Sequence, residues 1–92
     1  MAVTITIPTA LRQYADGKSS VSHDAETVGG LLRALVEQHP ALAKHLYSDA
    51  GKLRTFVNIY VGDEDIRYLD GEDTPLRDGE TVSIIPAIAG GQ

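Results

Sequence analysis

Near the start of the chain, Val3, Ile5 and Ile7 alternate with Thr4 and Thr6. A period of two sends alternate side chains to opposite faces, so this stretch predicts a half-buried strand, ended by Pro8. Asp16-Gly17 predicts a turn, and Lys18 to Ser22 a returning strand, with Leu11 and Tyr14 packed within a broad connection. The period then changes. Val28, Leu31, Leu32, Leu35 and Val36 fall at i, i+3, i+4, i+7 and i+8, one face of a helix. Thr27 is a suitable N-cap and Pro40 stops the helix at about His39. Gly29 and Gly30 stand in the first turn. Inside a helix each would cost up to ~1 kcal/mol against alanine, but both leave room for another backbone to approach. Leu42 and Leu46 suggest a further short helical turn, followed by the loop "SDAGK".

Alternation resumes in "RTFVNIYVGDEDIRYL". Val57, Ile59 and Val61 form one face; Phe56, Asn58 and Tyr60 form the other. "GDED" predicts a turn and Ile66 to Tyr68 a short strand. "DGEDTPLRDGE" predicts an irregular segment anchored by Leu76, and "TVSIIPA" a final strand with Val82 and Ile84 facing inward. The order is strand, strand, helix, strand, short strand, strand. Well-patterned first and last strands suggest that both are central in the sheet. The expected fold is α+β: a single β-grasp, ubiquitin-like domain over residues 1–86, with a mixed sheet of four to five strands packed on one main helix. Residues 87–92 are expected to form a flexible Gly-Gly tail making few contacts with the domain.

Ninety-two residues suffice for one small domain. The chain has no cysteine, which excludes a disulfide, a thiolate metal site and a cysteine nucleophile. The opening "MAVTITIPTALRQY" lacks a basic leader segment, and no apolar run approaches the ~20 residues that span a bilayer. A cytoplasmic protein without membrane association is expected. The formal net charge of −5, from 13 acidic and 8 basic residues, argues against nucleic acid as a partner. The acidity either keeps the domain soluble or matches a partner with a basic surface.

The segment from Leu76 to Gly91, "LRDGETVSIIPAIAGG", combines a leucine, an Asp-Gly turn, a V-x-I strand, a proline and Gly-Gly. It resembles the C-terminal signature of the ThiS/MoaD family of ubiquitin-like sulfur carriers. The likeness runs through "VTITIPTALRQYADG", "ETVGGLLRALVEQHP" and "GKLRTFVNIYVGDEDIRYL", which fall where that family has its first strand, helix and middle strands. "FVNIYVGDEDIR" and "IIPAIAGG" look especially like the CysO-type carriers of cysteine biosynthesis.

The resemblance implies a carrier with no catalytic residues and no metal of its own. Its C-terminal glycine is adenylated by a partner enzyme that uses ATP and Mg, and is then converted to a thiocarboxylate that donates sulfur. Gly91 is the implied attachment point, and Ala89, Gly90 and Gly91 the segment that enters partner active sites. Glycine suits that place, because a Cβ at Gly91 would crowd the attacked carbonyl. The implied partners are the adenylating or sulfur-transferase enzyme and a pyridoxal-phosphate cysteine synthase or other sulfur acceptor. Alternatives are donation to molybdopterin or thiamin synthesis, or conjugation through Gly91 to lysines as a protein modifier.

Active carriers of this family end on the second glycine, whereas Gly91 is here in peptide linkage to Gln92. An amide cannot be adenylated as a carboxylate can. Gln92 is either a proform residue removed by a JAMM-type zinc peptidase, which makes Gly91 and Gln92 a processing site, or a cloning artefact, or a mark of lost carrier function. Ile85 has the opposite parity to Val82 and Ile84. It either docks on a partner, together with Phe56, Tyr60 and Ile88, or is covered by its own domain. His23, His39 and His45 are scattered and expected at the surface, and the acidic stretches do not match a calcium loop.

Overall fold

The computed structural model describes residues 2–54 and 57–86. Five strands form one mixed sheet, β1 (Ala2–Thr6), β2 (Ser20–Asp24), β3 (Val57–Val61), β4 (Glu64–Asp65) and β5 (Thr81–Pro86), in the order β2-β1-β5-β3-β4. β1 and β5 run parallel with Ile5 opposite Val82, and the other three pairings are antiparallel. The expected β-grasp architecture is therefore present, with the first and last strands adjacent and β5 at the centre of the sheet.

Helix α1 (Val28–Gln38) lies between β2 and β3 in sequence and supplies one side of the core. Val28, Leu31, Leu32 and Leu35 are fully buried, and Val36 packs at the margin. They meet Val3, Ile5, Ile7, Val57, Ile59, Val82 and Ile84 from the inner face of the sheet. The Thr27 hydroxyl accepts from the Gly30 amide at 3.1 Å, as an N-cap should. Pro40 opens a 3-10 turn (Pro40–Leu42) that leads into the single helical turn α2 (Ala43–Leu46), whose Leu46 is buried. Gly29 is where a neighbour approaches closely: a Cβ there would lie 3.1 Å from the Glu72 carbonyl oxygen and 3.2 Å from its Cβ. The loop is also stitched to the helix entry by Val28 N–H donating to Thr74 O and Leu76 N–H to Glu26 O.

Three expectations need correction. The returning strand lies at Ser20–Asp24 and not Lys18–Ser22. The connection holds a 3-10 helix (Thr9–Tyr14), and its turn puts Asp16 and Gly17 at φ 56° and 77°. That loop consumes two more residues before Ser20 pairs with Thr6. Second, the pairing after β3 falls at Glu64–Asp65, within the stretch read as a turn, because Gly62 and Asp63 alone make the reversal and Val61 faces Glu64. Ile66–Tyr68 is a 3-10 turn, not a strand: the Asp65 carboxylate accepts from the Arg67 amide at 2.9 Å, and the turn swings Ile66 into the core. Third, His39 is buried, at 6% exposure, since it closes α1 with its amide donating to Leu35 O.

Leu35 has no exposed surface and faces the sheet from the middle of α1. Leu35→Ala is expected to destabilise the domain by about 2–4 kcal/mol through lost burial and a residual cavity. Urea unfolding measures this; a loss below about 1 kcal/mol would mean that the helix face does not carry the core.

Candidate docking surface beside the C-terminal segment

β5 delivers the chain into its last six residues, 87–92. With β1 on one side and β3 on the other, it is hydrogen-bonded along both edges. Val82 and Ile84 point into the core, and Ile85, one step out of phase, is 47% exposed on the opposite face. Ile85 pairs with Asn58, and Tyr60 pairs with Ser83, so Asn58, Tyr60 and Ile85 share the open face of the sheet. Across β1 and β2 the same face is hydroxylated: Thr4 and Ser22 face each other with their oxygens 3.5 Å apart, and Thr6 pairs with Ser83. The open face thus changes from hydroxyl-bearing to apolar toward the end of β5. Of the residues predicted to act, Ile85 and Tyr60 are brought together here. Phe56, Ile88, Ala89, Gly90, Gly91 and Gln92 lie outside the described residues.

A neighbouring feature escaped the sequence reading. The Arg67 guanidinium donates to the Val57 carbonyl at 3.1 Å. Val57 pairs with Pro86, the last residue of β5. The 3-10 turn is therefore tied to the same end of the sheet that the C-terminal segment leaves, and next to it Tyr68 is 86% and Leu69 38% exposed. The only signal in the sequence was the pair of large apolar residues amid acids in "DEDIRYLDGED".

His39 Nδ1 lies 3.8 Å from the Asp16 carboxylate, and His45 stacks on Tyr14 with ring centres 4.2 Å apart. Among the described residues no three His, Cys, Asp or Glu side chains are grouped to hold a metal ion, and no helix is long and apolar enough to cross a membrane. The Tyr47 phenol is raised above its ordinary value of 10.0, first by burial and then by the Glu72 carboxylate, with Arg33 opposing. Its oxygen is buried without a hydrogen-bond partner among the described residues. The fold thus prefers the neutral phenol. That preference is intact below about pH 10 and is lost as pH rises through the raised value. Urea midpoints followed from about pH 8 to about pH 11 should fall more steeply for the native chain than for Tyr47→Phe; parallel curves would mean that Tyr47 ionises as freely folded as unfolded.

The ThiS family model matches residues 5–91. The sulfur carrier protein CysO of Mycobacterium tuberculosis is 44% identical over 93 aligned positions, covering 99% of this chain and all of the relative. Small archaeal modifier protein 3 of Haloferax volcanii is 40% identical over 68 positions, covering 74% of this chain and 73% of that protein. Among solved structures, the BexX/CysO complex of Amycolatopsis orientalis contains a chain that superposes with a TM-score of 0.88 at 38% identity, covering 97% of this chain and 99% of that one. By the extent of the family match and by whole-length similarity to CysO, this chain belongs to the ThiS family, with a ubiquitin-like β-grasp fold.

Proposed function

We propose that this chain carries sulfur as a thiocarboxylate on Gly91, after hydrolytic removal of Gln92. The observation that carries the proposal is the family match, which extends through Gly91 and leaves Gln92 outside it, on a chain similar to CysO over its whole length. The chemistry follows from the carboxylate. Its charge is shared by two oxygens, so it resists nucleophiles. A peptidase of the JAMM zinc type would add water across the Gly91–Gln92 amide and release glutamine. An adenylating enzyme, with ATP and Mg, would let a Gly91 carboxylate oxygen attack the α-phosphorus and expel pyrophosphate. A sulfur nucleophile then attacks the acyl carbon and AMP leaves, giving the thiocarboxylate.

The chain's own contribution is mechanical. A central strand holds the base of the segment, and Ile85 with Tyr60, and by parity Phe56, offers an apolar face to the adenylating enzyme; Ile88 belongs to the same contact. Ala89, Gly90 and Gly91 supply backbone without bulk, so that the carbonyl reaches the partner's active site. Activation is done by the partner, and this chain binds no cofactor in the scheme. Cysteine biosynthesis, through a pyridoxal-phosphate synthase in the cytoplasm, is the proposed destination because CysO is among the similar proteins. A second function, conjugation of Gly91 to protein lysines, is favoured by the similarity to small archaeal modifier protein 3.

Intact-protein mass spectrometry after incubation with the organism's adenylating enzyme, ATP and sulfide tests the scheme. The full-length chain is expected to remain unmodified. A chain ending at Gly91 is expected to exchange one oxygen for sulfur, and a trimmed Gly91→Val chain to fail, because the branched Cβ crowds the carbonyl. Thiolation of the full-length chain at its glutamine carboxylate would refute the processing step. Linkage of the trimmed chain to lysines without thiocarboxylate would replace the carrier by the modifier.

A further inference from the structure

Among the described residues the exposed large apolar side chains are Tyr68, Leu69 and Ile85. Ile85 lies on the open face of the central strand. Tyr68 and Leu69 lie on the turn beyond β4, at the outer edge of the sheet, where the Arg67 guanidinium ties that turn to Val57 and so to the end of β5. That tie puts the turn at the end of the sheet where Val57 pairs with Pro86. Burial in the fold does not explain Tyr68, whose surface is 86% exposed. Its neighbours in sequence are unusual in charge. Asp63, Glu64, Asp65, Asp70 and Asp73 bracket the pair, with the cation Arg67 among them, whereas Glu72 packs against α1 beside Gly29. Asp63, Glu64, Asp70 and Asp73 are exposed.

We propose that Tyr68 and Leu69, with their flanking carboxylates, form a second docking surface that engages the adenylating enzyme beside the cleft that takes the C-terminal segment. This deepens the carrier function proposed above and rests on it. The partner's complementary face is an apolar recess bordered by arginine or lysine. Two physical arguments select it. An aromatic side chain bearing a polar tip is well suited to a protein interface, where the ring is desolvated and the hydroxyl stays wet. An enzyme that brings ATP phosphates to a carboxylate must also carry basic groups around its cleft, and carboxylates on this edge complement such a rim. The division of labour follows: apolar contact by Tyr68 and Leu69 governs how long the complex lasts, and the carboxylates govern how fast it forms.

The test uses the chain ending at Gly91 and the adenylating enzyme of the same organism, with pyrophosphate release followed as a function of carrier concentration. Tyr68→Ser combined with Leu69→Ser is expected to raise the KM for carrier at least tenfold, to leave kcat within about twofold, and to leave the melting temperature unchanged. A second variant, Asp63→Asn with Glu64→Gln and Asp70→Asn, is expected to slow association severalfold at low salt and to flatten its salt dependence, while Asp65 keeps its hydrogen bond to the Arg67 amide. If both variants match the native KM and association rate, the docking surface is refuted while the carrier function stands. If the native trimmed chain is not adenylated at all, the carrier function fails and this surface fails with it. A fall in melting temperature for Tyr68→Ser would show a structural role for the side chain and overturn the proposal too.

Discussion

The parallel pairing of β1 with β5 is the constraint from which the rest of the molecule follows. Strands that run side by side in one direction cannot be joined by a tight turn. Here the chain between Thr6 and Thr81 must leave the sheet, cross it and return, and α1 makes that crossing. The crossover buries the leucine face of α1 on Ile5, Ile59, Val82 and Ile84, while β2 and the β3-β4 pair extend the sheet outward on either side. At the centre of the sheet, β5 pairs with β1 through Thr81 to Ser83 and with β3 through Val82 to Pro86. In the carrier function proposed above, docking on the open face fixes the distance from partner to Pro86.

Parity does most of the functional selection. Along β5 a single step separates buried Ile84 from exposed Ile85. A one-residue slip of register would exchange them, hiding Ile85 and exposing the core. The neighbouring hydroxyls of Thr4, Ser22 and Ser83 keep the rest of the face polar. The histidines are placed by packing, as His39 at the close of α1 and His45 against Tyr14 show.

Much of this was legible in the sequence wherever a long period was present. The α1 face, its Thr27 cap, its stop at Pro40, the parity of Val82, Ile84 and Ile85, and the core anchor Leu76 all follow from spacing and from residues with one strong preference. What was not legible depended on tertiary contacts or on short elements. The 3-10 helix at Thr9–Tyr14 displaced β2 by two residues, and nothing in the local pattern counts the length of a loop. Ile66 to Tyr68 alternates as a strand would, but three residues carry too little pattern to outvote the Asp65 cap and the burial of Ile66. The surface position of Tyr68 depends on that turn, so the edge patch was hidden by the same misreading. His39 has an ordinary polar identity; its burial comes from where Pro40 turns the chain.

The carrier function proposed above requires that the open face at the end of β5, and not the helix side, meet the adenylating enzyme. Amide chemical-shift mapping of the isotope-labelled chain ending at Gly91, titrated with unlabelled enzyme, addresses it directly. Selective shifts or broadening are expected at Asn58, Tyr60, Ile85, Tyr68 and Leu69, with Ser22 and the exposed positions Arg33 and Glu37 of α1 undisturbed. Perturbations centred on Arg33 and Glu37, with Ile85 and Tyr60 unchanged, would contradict it.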